Sequence, residues 1–128
     1  MGTVEEVLLK KGANVIAVVP ETSIAEAAER MKEANVGCVV VEQKPDRIIG
    51  IVTERDFLRR VIAEKRDPND TTVADVMSSP VLTCHPQDEL TACASMLEQH
   101  HIRHVLVVDR DEPVGIISQR DVLAAILM

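Results

Sequence analysis

The stretch GIVTERDFL, residues 50–58, recurs 65 residues later as GIISQRDVL, residues 115–123. Five of the nine positions are identical, and the others keep their chemical character. The similarity continues upstream at an offset of 66, where Pro20 matches Pro86 and Ile24 matches Leu90. Two copies are too few for a solenoid, so we expect two halves that pack as a pseudo-symmetric unit.

Each copy has the pattern strand, helix, strand, strand, helix. In the first copy, short apolar β-branched runs predict strands at 15–19, 39–41 and 48–52. Ser23 followed by Glu26 predicts a capping box that starts the helix between the first two strands. Ile24, Ala28 and Met31 are spaced to lie on one apolar face of that helix.

The last helix of each copy has an apolar face, which we expect to be docked. Its residues are Phe57, Leu58, Val61 and Ile62 in the first copy and Val122, Leu123, Ile126 and Leu127 in the second. Residues 73–77 repeat the pattern of residues 4–8, with extra residues at 10–12. The predicted class is α+β, with β-α-β-β-α repeats at 8–65 and 80–128 and a linker with a short helix at 66–79.

Composition excludes several classes of function. The 128 residues carry a net charge of −7, whereas nucleic-acid binding usually needs a concentrated basic face. No apolar run approaches the roughly 20 residues of a membrane helix, and the start lacks the features of a secretion signal. Three scattered cysteines predict free buried thiols. We therefore expect a cytoplasmic protein.

The repeated Thr53 and Asp56, and Ser118 and Asp121, predict a polar turn between a strand and a helix. One interpretation is a capping box, in which hydroxyl and carboxylate each bond a backbone N–H group. The other is a ligand site: a helix start with Arg55 or Arg120 suits a phosphate, and a carboxylate can accept both hydroxyls of a ribose. The two interpretations use the same geometry and are compatible.

With these motifs the sequence resembles the CBS (cystathionine-β-synthase) domain family, whose repeat contains G-h-x-[TS]-x-x-D, h being apolar. Residues 50–56 and 115–121 both match. The resemblance implies a stand-alone pair of CBS repeats, related by a pseudo-twofold axis, around a cleft with two sites for AMP, ADP, ATP, NAD(H) or S-adenosylmethionine. In the family the Asp holds the ribose, and the Thr or Ser lies near the phosphate.

The resemblance also implies further residues of the nucleotide sites. They are Asn14, Ile16, Gly37, Cys38, Val81, Leu82, Arg103, His104 and Ile116. Asn14, Ile16, Gly37, Arg103 and His104 would join the Asp121 site, which we therefore expect to be the occupied one if only one site binds a ligand. Cys38 is interpreted as a small hydrophobic residue rather than a redox switch.

The histidines do not predict a metal site. His100 and His101 are expected to end a helix and His104 to begin a strand, so no pair on one helix is spaced to bind zinc. We interpret His100 and His101 as exposed residues, whereas the resemblance places His104 at the phosphate.

The predicted function is non-catalytic sensing of an adenine nucleotide, without a catalytic cofactor, because the same Thr and Asp occur in both halves. A dimeric interaction scaffold with a vestigial site is the alternative, and a minor hydrolase is a third possibility. The resemblance implies a homodimer, with Phe57, Val61, Val122 and Ile126 as interface candidates, and an unidentified protein target that reads the output.

Overall fold

The computed structural model describes residues 2–12, 15–44 and 47–127. Their packing forms two compact units. The first unit is Ile16–Val81, and the second joins an N-terminal helix, α1 (Val4–Lys11), to residues 82–127. The units follow packing rather than sequence repetition, so the repeat limits 8–65 and 80–128 stay a prediction.

The first unit is a three-stranded sheet with helices. Its elements are β1 (Ala17–Val18), α2 (Ile24–Ala34), β2 (Cys38–Lys44), β3 (Arg47–Thr53), α3 (Glu54–Asp56), which continues as a π-helical segment (Phe57–Ile62), and α4 (Val73–Val76). β2 pairs in parallel with β1 and antiparallel with β3. The hairpin strands are longer than predicted because backbone pairing continues past the apolar residues, whereas the edge strand β1 pairs over two residues only.

The second unit has the same topology. Its elements are α1, β4 (Thr83–Cys84), α5 (Leu90–Gln99), β5 (His104–Asp109), β6 (Glu112–Ser118) and α6 (Gln119–Leu127). β5 pairs in parallel with β4 and antiparallel with β6. The predicted α+β class and the duplicated strand, helix, strand, strand, helix order are confirmed.

Helix α2 begins where the sequence predicts. The Ser23 hydroxyl accepts a hydrogen bond from the Glu26 backbone N–H at 3.1 Å and caps the helix. The residues buried on its inner face are Ile24, Ala27 and Met31. Ala28, which the sequence also places on that face, is half-buried.

Each short helix that precedes a repeat docks in a corresponding way. In the second unit the Val4 N–H donates to the Asp88 carbonyl at 2.9 Å, and in the first unit the Val73 N–H donates to the Thr22 carbonyl at 2.8 Å. Val4 and Val73 are both fully buried. Thus α1 packs with the second copy of the repeat and α4 with the first, although the sequence pattern alone assigns α1 to the first copy.

The glycine of each motif allows this docking. A Cβ atom at Gly115 would lie 2.6 Å from Cδ2 of Leu8 in α1. A Cβ at Gly50 would overlap the Met77 side chain just after α4. The duplicated glycine is therefore explained by close packing against the helix that precedes a repeat.

The apolar faces of the last helices are only partly covered within each unit. Val61 and Val122 are 1% and 4% exposed and belong to the cores. The prediction that these two lie at a subunit interface is therefore wrong. The exposed apolar residues of these helices are Leu58, Ile62, Leu123, Ile126 and Leu127. These residues are exposed because the apolar stripe on each helix is wider than the row of side chains that contacts the core.

The three cysteines, Cys38, Cys84 and Cys93, are buried free thiols, as predicted. The Cys84 side chain lies within hydrogen-bond distance of Cys93, and this contact and burial together raise the pKa of the Cys84 thiol. A raised pKa reduces the thiolate fraction on which thiol reactivity depends.

We expect Gly115→Ala to lower the free energy of unfolding by about 1–3 kcal/mol, because the added methyl group overlaps Leu8. In a Leu8→Ala background the same change should cost much less, since the overlapping atoms are gone. Urea unfolding of the wild type, both single variants and the double variant measures this coupling. Equal costs in the two backgrounds would contradict the packing explanation.

Candidate functional site

The first motif forms a capping box at the end of β3. The Thr53 backbone N–H donates to Asp56 Oδ2 at 2.9 Å, and the Asp56 N–H donates to Thr53 Oγ1 at 3.4 Å. The Thr53 hydroxyl also donates to Asp56 Oδ2 at 3.3 Å. The predicted reciprocal bonds are confirmed, and they fix the carboxylate at the junction of strand and helix.

Residues before the middle strand lie beside this capping box. The Glu54 N–H donates to the Gly37 carbonyl at 3.1 Å. Cys38 stands opposite Thr53 in the β2–β3 register. The first unit therefore brings together four of the predicted site residues, Gly37, Cys38, Thr53 and Asp56.

The second unit repeats the arrangement. The Ser118 N–H donates to Asp121 Oδ2 at 2.8 Å, and the Asp121 N–H donates to Ser118 Oγ at 3.0 Å. The Gln119 N–H donates to the Arg103 carbonyl at 2.8 Å, and His104 stands opposite Ser118 in the β5–β6 register. Arg103 and His104 thus correspond to Gly37 and Cys38.

The residues at the entry to each first strand also correspond. The Ile16 carbonyl accepts the Val40 N–H at 2.9 Å, and the Leu82 carbonyl accepts the Leu106 N–H at 3.2 Å. Ile16 and Leu82 are half-buried, as is Val81. Their role at the nucleotide stays a prediction.

The predicted composition of the Asp121 site is only partly described. Asn14 lies outside the described residues. Ile16 and Gly37 belong to the other compact unit, so their grouping with Asp121 stays a prediction. Ile116 is buried within β6.

Four backbone amides at the two helix starts already have hydrogen-bond partners. The N–H groups of Glu54 and Gln119 bond backbone carbonyls, and those of Asp56 and Asp121 bond the capping hydroxyls. A phosphate at these helix starts would therefore have to use groups other than these four amides. Side-chain cations remain in the same turns, where Arg55 is half-buried and Arg120 is exposed.

A lysine that sequence reasoning missed contacts the second carboxylate. The Lys11 ammonium lies 2.7 Å from Asp121 Oδ2 and donates to the Ile116 carbonyl at 2.9 Å. Burial raises the pKa of Asp121, but the bonds from Lys11 and Ser118 outweigh it and hold that pKa below its ordinary value. The sequence feature that could have indicated this contact is the extra segment at residues 10–12, which has no counterpart before the second repeat.

The first carboxylate has a different cation. Arg60 Nε lies 3.7 Å from Asp56 Oδ1 on the same helix. The Arg60 guanidinium also donates to the Val76 carbonyl at 2.8 Å, at the end of α4. At the same place in the second copy stands Ala125. Both motif aspartates therefore face a cation, but from different elements.

A cavity of about 480 Å³ lies in the second unit beside the Lys11–Asp121 pair. Its lining residues are Gly2, Glu6, Val7, Lys10, Lys11, Leu90, Asp121, Ala124 and Ala125. The last turn of α1 therefore has open space next to α6, where the first unit carries the larger Arg59 and Arg60.

The residues that the structure describes contain neither a candidate membrane-spanning helix nor a candidate metal site. Over residues 2–12, 15–44 and 47–127, no helix has the length and apolar character required to cross a membrane. Within the same ranges, no group of three or more His, Cys, Asp or Glu side chains is arranged to hold a metal ion.

We expect the Lys11–Asp121 pair to stabilise the fold in a pH-dependent way. Because the folded pKa of Asp121 is lowered, its contribution is present above the unfolded value near 3.9 and is lost as pH falls through the folded pKa. The wild type should exceed Lys11→Met in free energy of unfolding by a constant margin above about pH 5, and the margin should shrink below about pH 4. Denaturant unfolding from pH 3 to pH 7 measures it, with Lys10→Met as charge control; a margin independent of pH would contradict the assignment.

Comparison with known proteins gives the chain a family. Residues 4–63 and 73–128 each match the CBS domain. The CBS domain-containing protein YhcV of Bacillus subtilis is 38% identical over 108 residues, which cover 84% of this chain and 75% of that protein. An uncharacterised protein of Methanopyrus kandleri is 32% identical over 111 residues, 86% of this chain but only 57% of the relative's length.

A solved structure agrees with the fold. The hexameric CBS-CP12 protein from bloom-forming cyanobacteria is 28% identical, with a TM-score of 0.87 over 96% of this chain and 70% of that one. CBS pairs are generally regulatory modules that bind adenosine ligands. With two matched repeats that together span most of its length, the chain belongs to the CBS domain family.

Proposed function

We propose that this chain is a non-catalytic regulatory module that binds an adenine nucleotide through Asp56 and Asp121. The observation that carries the proposal is the duplicated capping box, which holds a carboxylate at the end of each hairpin. The candidate ligands are AMP, ADP, ATP, NAD(H) and S-adenosylmethionine, and the output would be energy sensing read by a protein target.

The chemistry of the carboxylates fits a ribose. Each aspartate uses Oδ2 for the N–H of its capping residue, Thr53 or Ser118. The other oxygen, Oδ1, is not the one that accepts these capping bonds, and in Asp56 it faces Arg60 Nε at 3.7 Å. A carboxylate oxygen accepts hydroxyl donors readily, so Oδ1 offers a position for a ribose hydroxyl.

The base would be bound without aromatic stacking. The chain has no Tyr or Trp. Ile16 and Leu82 supply aliphatic surface at the entry of the first strands, next to backbone groups of the hairpins. Preference for adenine would then come from backbone hydrogen bonds to its edge rather than from ring stacking.

We propose that the chain is not an enzyme because the two motif hydroxyls cap helices. Thr53 and Ser118 both serve as helix caps, each accepting the N–H of its motif aspartate. An activated nucleophile needs an adjacent base that is itself oriented by a third group. The same pair in both units suits two binding sites better than one asymmetric reaction.

An interaction scaffold is the second candidate, and the exposed apolar helix residues favour it. Leu58 and Ile62 are 59% and 67% exposed, and Leu123 and Leu127 are 55% and 77% exposed. Such clustering on a surface is typical of a protein contact. We propose that these faces form a homodimer interface, that the protein acts in the cytoplasm, and that nucleic acid and membranes are not its partners.

Nucleotide binding is tested by a thermal-shift screen of AMP, ADP, ATP, NAD, NADH, S-adenosylmethionine and GTP. A ligand at about 100 times its dissociation constant adds about 2.7 kcal/mol of stability, which raises the melting temperature by several degrees. We expect such a shift with an adenosine ligand and none with GTP. Asp56→Asn and Asp121→Asn together should abolish it.

Asp75→Asn is the matched control for these variants. Asp75 also accepts the N–H of a capping threonine, Thr72, at 3.0 Å, but it lies in α4, outside the motif. The control should keep the full ligand-induced shift. If no ligand raises the melting temperature of the wild type, nucleotide binding is contradicted and the interaction scaffold becomes the proposed function.

We expect Leu58→Lys with Leu123→Lys to convert a dimer into monomers, because a charge in a buried contact loses its hydration. Light scattering at tens of micromolar measures the mass. Leu9→Lys is the control, since Leu9 is 80% exposed and lies on α1 rather than on either of these helices. A wild type that is monomeric, or a double variant that stays dimeric, would contradict this interface.

A further inference from the structure

We propose that Lys11 is a gate on the Asp121 site, so that a nucleotide must displace its ammonium group before the ribose can bind the carboxylate with both oxygens. This inference rests on the proposed function. It adds a residue outside both motifs, and it makes the two sites unequal in a direction opposite to the sequence-based expectation.

Asp121 Oδ2 already accepts two hydrogen bonds in the structure. This oxygen accepts the Ser118 N–H at 2.8 Å and the Lys11 ammonium at 2.7 Å. A carboxylate oxygen has two lone pairs, so two short bonds fill its capacity. The two hydroxyls of a ribose would need both oxygens of Asp121, and only Oδ1 is left for them.

The contact between Lys11 and Asp121 is stronger than a surface ion pair. Lys11 is held by two acceptors, Asp121 and the Ile116 carbonyl at 2.9 Å. Its side chain is 35% exposed and that of Asp121 is 20% exposed. A charge-assisted bond at this depth is screened less than a surface pair, so breaking it reduces the affinity of an entering diol.

The first unit lacks an equivalent gate. Arg60 Nε is 3.7 Å from Asp56 Oδ1, which is beyond hydrogen-bond distance. The Arg60 guanidinium is instead held by the carbonyls of Val76 and Met77, at 2.8 and 3.3 Å. Asp56 Oδ2 also accepts two bonds, from the Thr53 N–H at 2.9 Å and the Thr53 hydroxyl at 3.3 Å, but a hydroxyl can rotate to another acceptor. A diol therefore displaces no cation at Asp56, and we infer that its site fills first.

The cavity beside α1 gives the displaced lysine a place to go. Lys11 and Asp121 both line the open volume of about 480 Å³ between α1 and α6. Lys11 is also the last residue of α1, followed by Gly12 at a φ of 88°. The side chain can leave Asp121 without unfolding the helix, and occupancy of the site would release the last turn of α1 from Ile116.

The gate is tested by AMP titration in an Asp56→Asn background, where only the Asp121 site remains. Lys11→Met removes the ammonium and keeps an apolar chain of similar length. We expect about three- to tenfold tighter AMP binding than in the background protein, the range of a partly buried ion pair. Lys11→Arg, which retains a cation, should stay within about twofold of the background.

Lys10→Met is the matched charge control, because it removes the same charge from the same turn of α1 without removing a bond to Asp121. It should leave AMP affinity unchanged or weaken it slightly. Unchanged or weaker binding in Lys11→Met would overturn the gate and leave nucleotide binding intact. If none of AMP, ADP, ATP, NAD(H) and S-adenosylmethionine binds the wild type or any variant, the gate and the proposed function are overturned together.

Discussion

A carboxylate at the junction of strand and helix is the constraint on which both units depend. In each copy the last residue of the hairpin donates its N–H to the aspartate three positions later, and its hydroxyl accepts the N–H of that aspartate. These bonds end the strand, start the helix and hold the carboxylate in one orientation. A carboxylate fixed in this way need not be reoriented to bind a ligand, which lowers the entropic cost of association.

Duplication gives two similar aspartates, and the surrounding elements make them different. Asp56 faces an arginine of its own helix, at a distance too long for a hydrogen bond. Asp121 is bonded by a lysine from α1, which is 110 residues away in sequence but packs in the same unit. The difference arises because α1 extends to Lys11, whereas α4 ends at Val76. A regulatory module with one open and one gated site would respond over a wider range of ligand concentration than one with two equal sites.

The sequence predicted what local pattern and repetition determine. The duplicated element order and the capping boxes follow from repetition and spacing, whereas the residues beside the motif hydroxyls were implied by the resemblance to the family. The Lys11–Asp121 contact did not follow, because it depends on which copy α1 packs against. The helix faces were also misjudged: Val61 and Leu58 are equally apolar in the pattern, but only packing decides that Val61 is core and Leu58 is exposed.

The central claim is that an aspartate carboxylate binds the ribose diol, and a ligand without that diol tests it most directly. Isothermal titration would compare the tightest-binding of AMP, ADP and ATP with its 2′,3′-dideoxy counterpart on the wild-type chain. Hydrogen bonds from the two hydroxyls to a charged acceptor predict at least about tenfold weaker binding of the dideoxy ligand. Equal affinity for the two ligands would contradict the account, because the carboxylates would then have no part in binding.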